Sequence, residues 1–343
     1  MNIAVLTGGG DCPGLNAAIR AVVRKALEYG DAVLGLKNGW AGLVKADTMP
    51  LDAQAVAGIL PAGGTILGTS RTNPLKKEED LRAVEENWRA LGIDALVAIG
   101  GDDTLSVAYR LHQMGYRVVG VPKTMDNDVR GTDYCIGFDS AVTTVVEALD
   151  KLHTTASAHH RVMVVEVMGR DAGWVAVVGG LAGGADYILI PEVPVHVEEV
   201  CAHLRRRRER GKDSSIIVVA EGAKIEGIQA REPIAHAQDA FGHVRLDTRE
   251  IGHALGAAIE RMTGFETRVT VLGHIQRGGS PSVFDRVLAT RLGVAAVQYI
   301  HEGRFGYMPA LQANKIVPVP LEEVVKGTRG VDLELYELAK IFY

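Results

Sequence analysis

Cysteine is scarce in this 343-residue chain. Cys12, Cys135 and Cys201 are odd in number, widely spaced and never in a CxxC pair, so neither a disulfide framework nor a structural zinc site is indicated, and a reducing compartment fits. Long apolar runs are missing as well: nothing approaches the ~18 residues of a membrane span. Met1-Asn2-Ile3-Ala4-Val5-Leu6 enters a strand with no basic leader or cleavage site, which predicts a soluble, cytoplasmic protein with no membrane partner. Positive charge is not in excess. The formal net charge of -5 gives no electrostatic reason to expect nucleic acid as a partner, so a phosphorylated substrate would need positive charge supplied locally. The familiar nucleotide signatures are also incomplete. Gly8-Gly9-Gly10-Asp11-Cys12-Pro13-Gly14 is not a Walker A loop, because no Gly-Lys-Ser/Thr follows, nor a dinucleotide fingerprint, because Pro13 breaks the glycine spacing. His236, His243 and His253 are spaced too irregularly to propose a metal site.

What is present is a repeated strand, loop and helix pattern. With 47% hydrophobic residues, the chain is long enough for two domains, each with its own core. Ile3 to Thr7 reads as a strand that breaks into the glycine loop, with a helix from Leu15 to Tyr29 behind it. Such a turn offers bare N–H groups to an anion. Arg20 and Arg24, four apart on that helix, are either a second anion site or a solvated stripe. After a strand at Ala32 to Leu36, Asn38-Gly39-Trp40 reads as a turn. Gly63 to Pro74, with hydroxyls and Arg71, reads as a phosphate cradle or as a polar surface loop.

The organising stretch runs from Ile99 to Asp128. Apolar strands at Ala95 to Ile99 and Arg117 to Val121 flank a helix over Leu105 to Met114. Each strand ends in an acidic cluster, Gly100-Gly101-Asp102-Asp103-Thr104 and Pro122-Lys123-Thr124-Met125-Asp126-Asn127-Asp128. In a parallel strand, helix, strand unit both strand ends face one edge, so Asp102, Asp103, Lys123, Asp126 and Asp128 are expected to share one crevice. Several carboxylates and a lysine together suit magnesium-dependent phosphoryl transfer, where one carboxylate holds the cation and another takes a proton. Helix capping alone would need one such residue and not four.

The second half repeats the pattern: a helix from Ser140 to Leu152, then strands at Val162 to Val167, Tyr187 to Ile190 and Ile216 to Ala220. The first of these ends in Met168-Gly169-Arg170-Asp171, another junction with an arginine in its loop, and the last ends in Glu221-Gly222. Arg205 to Arg208 lie on a helix, Val197 to Arg210, as a solvated face. Helices are expected over Glu250 to Met262 and Val283 to Ile300. Between them a strand from Arg268 runs into a polar loop whose His274 and Arg277 could grip a sugar phosphate.

Five segments together give the chain a likeness: Gly8 to Asn16, Gly100-Gly101-Asp102, Thr124 to Asp128, Met168-Gly169-Arg170 and Leu272-Gly273-His274-Ile275-Gln276-Arg277-Gly278-Gly279-Ser280-Pro281. In this order they closely resemble the 6-phosphofructokinases over nearly the whole chain. The resemblance implies an α/β fold of two Rossmann-like three-layer domains with mainly parallel sheets. Residues 1–137 plus 275–325 would form a larger phosphoryl-donor domain, and 138–274 plus 326–343 a smaller sugar-phosphate domain. It also implies Asp126 as the general base on the sugar 1-hydroxyl, Asp102 as the magnesium ligand, and Thr124 and Asp128 as supports for the transferring group. Gly10 and Arg71 would lie on the donor. Met125, Met168, Gly169, Arg170, Glu221, His274, Ile275, Gln276 and Arg277 would line the substrate, with Arg170 also serving catalysis. Arg161 and Arg268 would reach the site of a neighbouring subunit, so that activity requires self-association.

Two departures bear on the donor. Where the ATP-dependent members are similar in having glycines, this chain has Asp103 and Lys123. An aspartate there fills the space of the nucleotide's α-phosphate and repels its charge, and the lysine offsets that charge for a small donor. The pair resembles the pyrophosphate-dependent members, which implies diphosphate and fructose 6-phosphate as substrates; the alternatives are an ATP-dependent enzyme and a salt bridge silent about the donor. A NAD or lipid kinase would share Gly-Gly-Asp but not Gly273 to Pro281, and a sugar-phosphate sensor would not need Asp126. Arg20, Arg24, Arg210 and Lys212 match the family's nucleotide effector site, but Ala53 and His153 replace expected arginines, which predicts no strong nucleotide activation.

Overall fold

The structure is a computed structural model and describes residues 1–230 and 249–343. Expectations for 231–248, including those for His236 and His243, lie outside the described residues. Two compact units emerge. One comprises Met1–Ser140 with Arg277–Thr328; the other comprises the described residues of 141–276 with Arg329–Tyr343.

The first unit opens with β1 (Asn2–Thr7), α1 (Leu15–Glu28), β2 (Ala32–Leu36), α2 (Trp40–Lys45), β3 (Thr48–Pro50), α3 (Glu78–Ala90), β4 (Ala95–Gly100), α4 (Asp102–Gln113) and β5 (Val118–Pro122). The sheet order is β3-β2-β1-β4-β5, parallel throughout except for β3. All of β4 and β5 is buried, as expected of parallel strands covered on both faces. Leu6, Leu36, Leu96, Leu105 and Val118 pack with Trp40 in one core, each aliphatic side chain contributing about 1.5–3 kcal/mol. The chain leaves β1 for β2 on one side and later returns to β4 on the other, so β1 is a topological switch point, where ligands gather at the carboxyl ends of the strands. The register aligns Thr7 with Ile99 and Gly100 with Pro122. The glycine loop and both acidic clusters therefore leave the sheet along one edge.

The second unit takes in most of α5 (Phe138–His159), then β6 (Val162–Val167), α6 (Trp174–Ala182), β7 (Tyr187–Leu189), β8 (Val195–His196), α7 (Val197–Glu209), β9 (Ser215–Ala220), β10 (Ile225–Glu226), α8 (Ile251–Thr263) and β11 (Thr267–Val271). Its main sheet runs β11-β6-β9-β7, all parallel, and β8 pairs with β10. Val162, Val164, Ile217, Val219, Leu255 and Ile259 form its core. A 3₁₀ turn at Gly273–Arg277 follows, where a plain loop was expected. The first unit is completed by α9 (Val283–His301), the hairpin β12 (Tyr307–Gln312) and β13 (Lys315–Pro320), and α10 (Leu321–Val324). Gly293 lets α9 lie close on α1, since a Cβ there would press on the Ala18 carbonyl. The last element, α11 (Leu333–Lys340), returns to the second unit. There the Tyr343 hydroxyl accepts the Ile188 N–H at 2.9 Å, on the edge strand β7.

Three local expectations need correction. Trp40 does not sit in a turn but opens α2, and its ring is 1% exposed in the core. Asp102 and Asp103 do not precede the helix but form its first turn, after an extended Gly101 at the N-cap. The basic run on α7 is not simply solvated. The helical period turns Arg207 inward, where it pairs with Asp186 at 2.7 Å and bonds Ser215 at 3.1 Å, and Arg208 stacks over Phe265 at 4.3 Å.

Candidate active site

In the first unit the site is built from four chain segments at one sheet edge. Gly8 and Gly100 end adjacent strands, and the Thr104 side chain fills the space in front of both, so a Cβ on either glycine would collide with it. The Gly8 N–H donates to the Ile99 carbonyl at 2.9 Å and the Gly9 N–H to Ser70 at 3.2 Å. Thr69 Oγ1 donates to the Gly9 carbonyl at 2.5 Å. The loop carrying Arg71 is thereby docked on the glycine loop, while Arg71 itself is exposed.

Lys123 holds this arrangement from below. It is 2% exposed, and its ammonium donates to the carbonyls of Gly8, at 2.9 Å, and Gly10. Burial holds its pKa below the usual lysine value. The predicted lysine therefore folds the glycine loop with two of its three N–H donors. Arg277 lies over the same loop: Nη1 donates to the Asp11 carbonyl at 3.3 Å, and a Cβ on Gly10 would collide with its guanidinium. Cys12, in the middle of the loop, is fully buried and its thiol is pushed up to about 12, so it packs and does not react.

Alternation explains how the second cluster presents its acids. Met125, Asn127 and Val129 are each 1% exposed, while Thr124, Asp126 and Asp128 between them are half-buried and turn the other way. Asn127 takes a left-handed φ of 54°, which asparagine tolerates, and is held by the Asp133 carbonyl at 3.1 Å and the Cys135 N–H at 2.8 Å. Thr124 Oγ1 accepts the Asp126 N–H at 3.2 Å. The Asp128 carboxyl is pushed up to about 7, first by burial and then by the charge of Asp126, with Asp102 adding to it. Asp102 and Asp103 stand at the positive end of the α4 dipole. The crevice thus gathers carboxylates whose mutual repulsion already perturbs one of them. Among the described residues no three His, Cys, Asp or Glu side chains surround one metal position. The carboxylates of this crevice are hard oxygen donors, the ligand type of magnesium, which takes one or two carboxylates and fills its remaining positions with water and phosphate oxygens.

In the second unit, Gly169, Arg170, Glu221 and Gly222 are laced together. The Gly222 N–H donates to Gly169 at 3.1 Å, and a Cβ on Gly222 would collide with the Arg170 carbonyl. Met168 N–H approaches Gln276 Oε1 at 3.4 Å, and Gln276 Nε2 donates to Gly273 at 3.0 Å. Gln276 is wholly buried, so its amide braces the loop, whereas His274 and Ile275 are exposed. Met125, in the first unit, is likewise buried. Arg161 and Arg268 lie elsewhere: they stand at the amino ends of β6 and β11, while Met168 to Arg170 follow the carboxyl end of β6 and Glu221 that of β9. The six residues of β6 separate the two groups by about 20 Å at ~3.3 Å per residue. Two contributors had no sequence signal. Thr104 shows itself only once both glycines stand before it, and Arg249, which reaches the carbonyls of Glu221 and Ala223 at 3.4 and 3.5 Å, sits in an aperiodic stretch.

Against known proteins, the chain matches the family described as Phosphofructokinase over residues 2–300. It is 54% identical over 346 residues to a protein of Streptomyces coelicolor named pyrophosphate--fructose 6-phosphate 1-phosphotransferase, covering 100% of both chains. It is 48% identical over 347 residues to an ATP-dependent 6-phosphofructokinase of Corynebacterium efficiens, covering 100% of this chain and 99% of the other. The solved phosphofructokinase of Saccharomyces cerevisiae matches with a TM-score of 0.81 at 35% identity, over 95% of this chain and 45% of that one.

Proposed function

Because the chain belongs to the phosphofructokinase family, we propose that it transfers a phosphoryl group from diphosphate to the 1-hydroxyl of D-fructose 6-phosphate, giving fructose 1,6-bisphosphate and phosphate. The observation that carries the choice of donor is the buried Lys123. Its ammonium closes the glycine loop through Gly8 and Gly10, and Asp103 occupies the first turn of α4 at the same sheet edge. A helix N-terminus with bare amides would welcome a nucleotide's α-phosphate; one carrying an extra carboxylate repels it. A small donor needs only the loop and the cations around it, Lys123, Arg277 and Arg71. The pyrophosphate-named relative at 54% identity supports the same choice, and the ATP-named one at 48% marks the alternative.

Asp126 takes the proton from the sugar hydroxyl as the oxygen attacks the terminal phosphorus of diphosphate. The bond from that phosphorus to the bridging oxygen breaks, and phosphate leaves with the electron pair. Thr124 holds the backbone of Asp126, and Asp128 stands beside it. Magnesium, held by Asp102, would neutralise charge on the donor's oxygens. No nucleotide is consumed, so the reaction runs readily in both directions. Met168, Gly169, Arg170 and Glu221 would hold the sugar phosphate. The 20 Å offset of Arg161 and Arg268 supports their serving a second copy of the chain, in a homo-oligomer.

The test is fructose 1,6-bisphosphate formation from fructose 6-phosphate and magnesium, with diphosphate in one assay and ATP in the other. Turnover with diphosphate alone is expected. Turnover mainly with ATP would overturn the reading of Asp103 and Lys123 and leave the family intact.

A further inference from the structure

Glu266 is the residue immediately before β11. Strand register pairs Thr267 with Val162, which sets Glu266 opposite Arg161 at the amino end of β6. Its backbone joins the two strands, the Val162 N–H donating to the Glu266 carbonyl at 3.0 Å. One oxygen of its side chain, Oε1, then receives two guanidinium groups: Arg161 Nη2 at 2.8 Å and Arg268 Nη2 at 2.5 Å. Arg268 is held further by Nη1 to the Thr267 carbonyl at 2.9 Å. Arg161 is the more enclosed of the two, and its buried Nε has no hydrogen-bond partner among the described residues.

We propose that Glu266 is a positioning residue that gathers Arg161 and Arg268 into one anion-binding pair, which takes the phosphate of a sugar monophosphate held by a second copy of the chain. The proposal rests on the acceptor named above. Its physical basis is that two guanidinium groups brought to one point repel each other, and only a shared counter-charge keeps them there. A carboxylate bound through one oxygen satisfies one N–H of each arginine, and with Arg268 Nη1 also on the Thr267 carbonyl each guanidinium still keeps further N–H groups for a phosphate. The triad keeps a net positive charge. It also faces away from this unit's own Arg170 and Glu221, by the length of β6, so its ligand belongs to another chain.

Glu266 also has an opposing effect, since its charge repels an incoming phosphate. The two roles predict opposite signs. If gathering dominates, removing the side chain lets the arginines part and weakens sugar-phosphate binding; if repulsion dominates, binding tightens.

The experiment compares wild type, Glu266→Ala and Glu266→Gln in steady-state kinetics, together with calorimetric binding of fructose 6-phosphate. Glu266→Ala is expected to raise KM and Kd for fructose 6-phosphate about three- to fivefold, as for loss of one exposed charge-assisted contact, while KM for the phosphoryl donor and kcat stay within about 1.5-fold. Glu266→Gln keeps an acceptor oxygen and should recover part of the loss. Combined with Arg161→Ala it should add nothing to the loss from Arg161→Ala alone. An unchanged or lowered KM in Glu266→Ala, an additive double variant, or an equal loss for both substrates would overturn the positioning role. A wild-type chain that binds no fructose 6-phosphate would overturn the acceptor itself, and the proposal with it.

Discussion

Replacing Lys123 by methionine separates the work this side chain does for the fold from the work proposed for it at the donor. Methionine fills a similar volume, so packing is nearly conserved, and what is lost is an ammonium 2% exposed with hydrogen bonds to the carbonyls of Gly8 and Gly10. Hydrogen bonds to a charged group are worth about 1.5–3 kcal/mol each, so the gross loss is about 3–6 kcal/mol. Against this, burying the ammonium costs several kcal/mol, a penalty already visible in its lowered pKa, and methionine removes it. The two nearly cancel, and global stability should change by only about 1–2 kcal/mol. The donor has no such compensation. Its loop loses its clamp and its nearest buried cation together. Losing one charge-assisted interaction of about 1.5–3 kcal/mol lowers kcat/KM for diphosphate roughly 10- to 100-fold. The assay varies diphosphate at saturating fructose 6-phosphate and then reverses the roles, alongside a thermal melt. A donor kcat/KM within twofold of wild type, or a loss shared equally by both substrates, would refute the clamp.

Asp103→Gly removes the carboxylate from the first turn of α4 and should open the site to ATP; unchanged donor choice would refute the steric and charge argument. Asp126→Asn should lower kcat by about 10²–10⁴ while calorimetry still detects fructose 6-phosphate binding, and a variant that keeps more than a tenth of the rate would remove Asp126 from the role of base. Burial and the charge of Asp126 raise the Asp128 carboxyl from 3.8 to about 7, so between those values the native chain carries a proton that the unfolded chain lacks. Its contribution to stability without metal therefore falls as pH rises through that window. Cation binding should strengthen with pH up to about 7, with proton release near pH 6 that Asp128→Asn abolishes. Calorimetry of magnesium in buffers of different ionisation enthalpy reads this directly, and a pH-independent affinity would contradict it. Mixing Arg161→Ala with Arg170→Ala protomers should restore roughly a quarter of wild-type activity in a two-fold assembly, because half of the assemblies are mixed and each holds one intact shared site. No recovery after subunit exchange would mean that the arginines do not cross.

How much of this was legible in the sequence depends on the kind of signal each feature leaves. The parallel strands announce themselves, because β4, β5, β6 and β9 are buried on both faces and read as apolar runs, broken only by Glu166 in β6 and Ser215 at the start of β9. Helix α3 left no such signal: only Val84 and Trp88 are buried among thirteen mostly charged residues, a stripe too narrow to stand out. The start of α4 was misplaced because aspartate favours both loops and first turns, and only the extended Gly101 decides between them. The acidic crevice was legible because strand ends in a parallel sheet share an edge whatever the tertiary detail. The inward turn of Lys123 was not, since a lysine after a strand reads the same whether its ammonium meets phosphate or two backbone carbonyls. Glu266 is the plainest case. One position before β11 it looks like any surface glutamate, and its meeting with Arg161, more than a hundred positions earlier, is fixed by a strand register that local pattern cannot supply. A positioning charge of this sort can be read only after the strands have been paired.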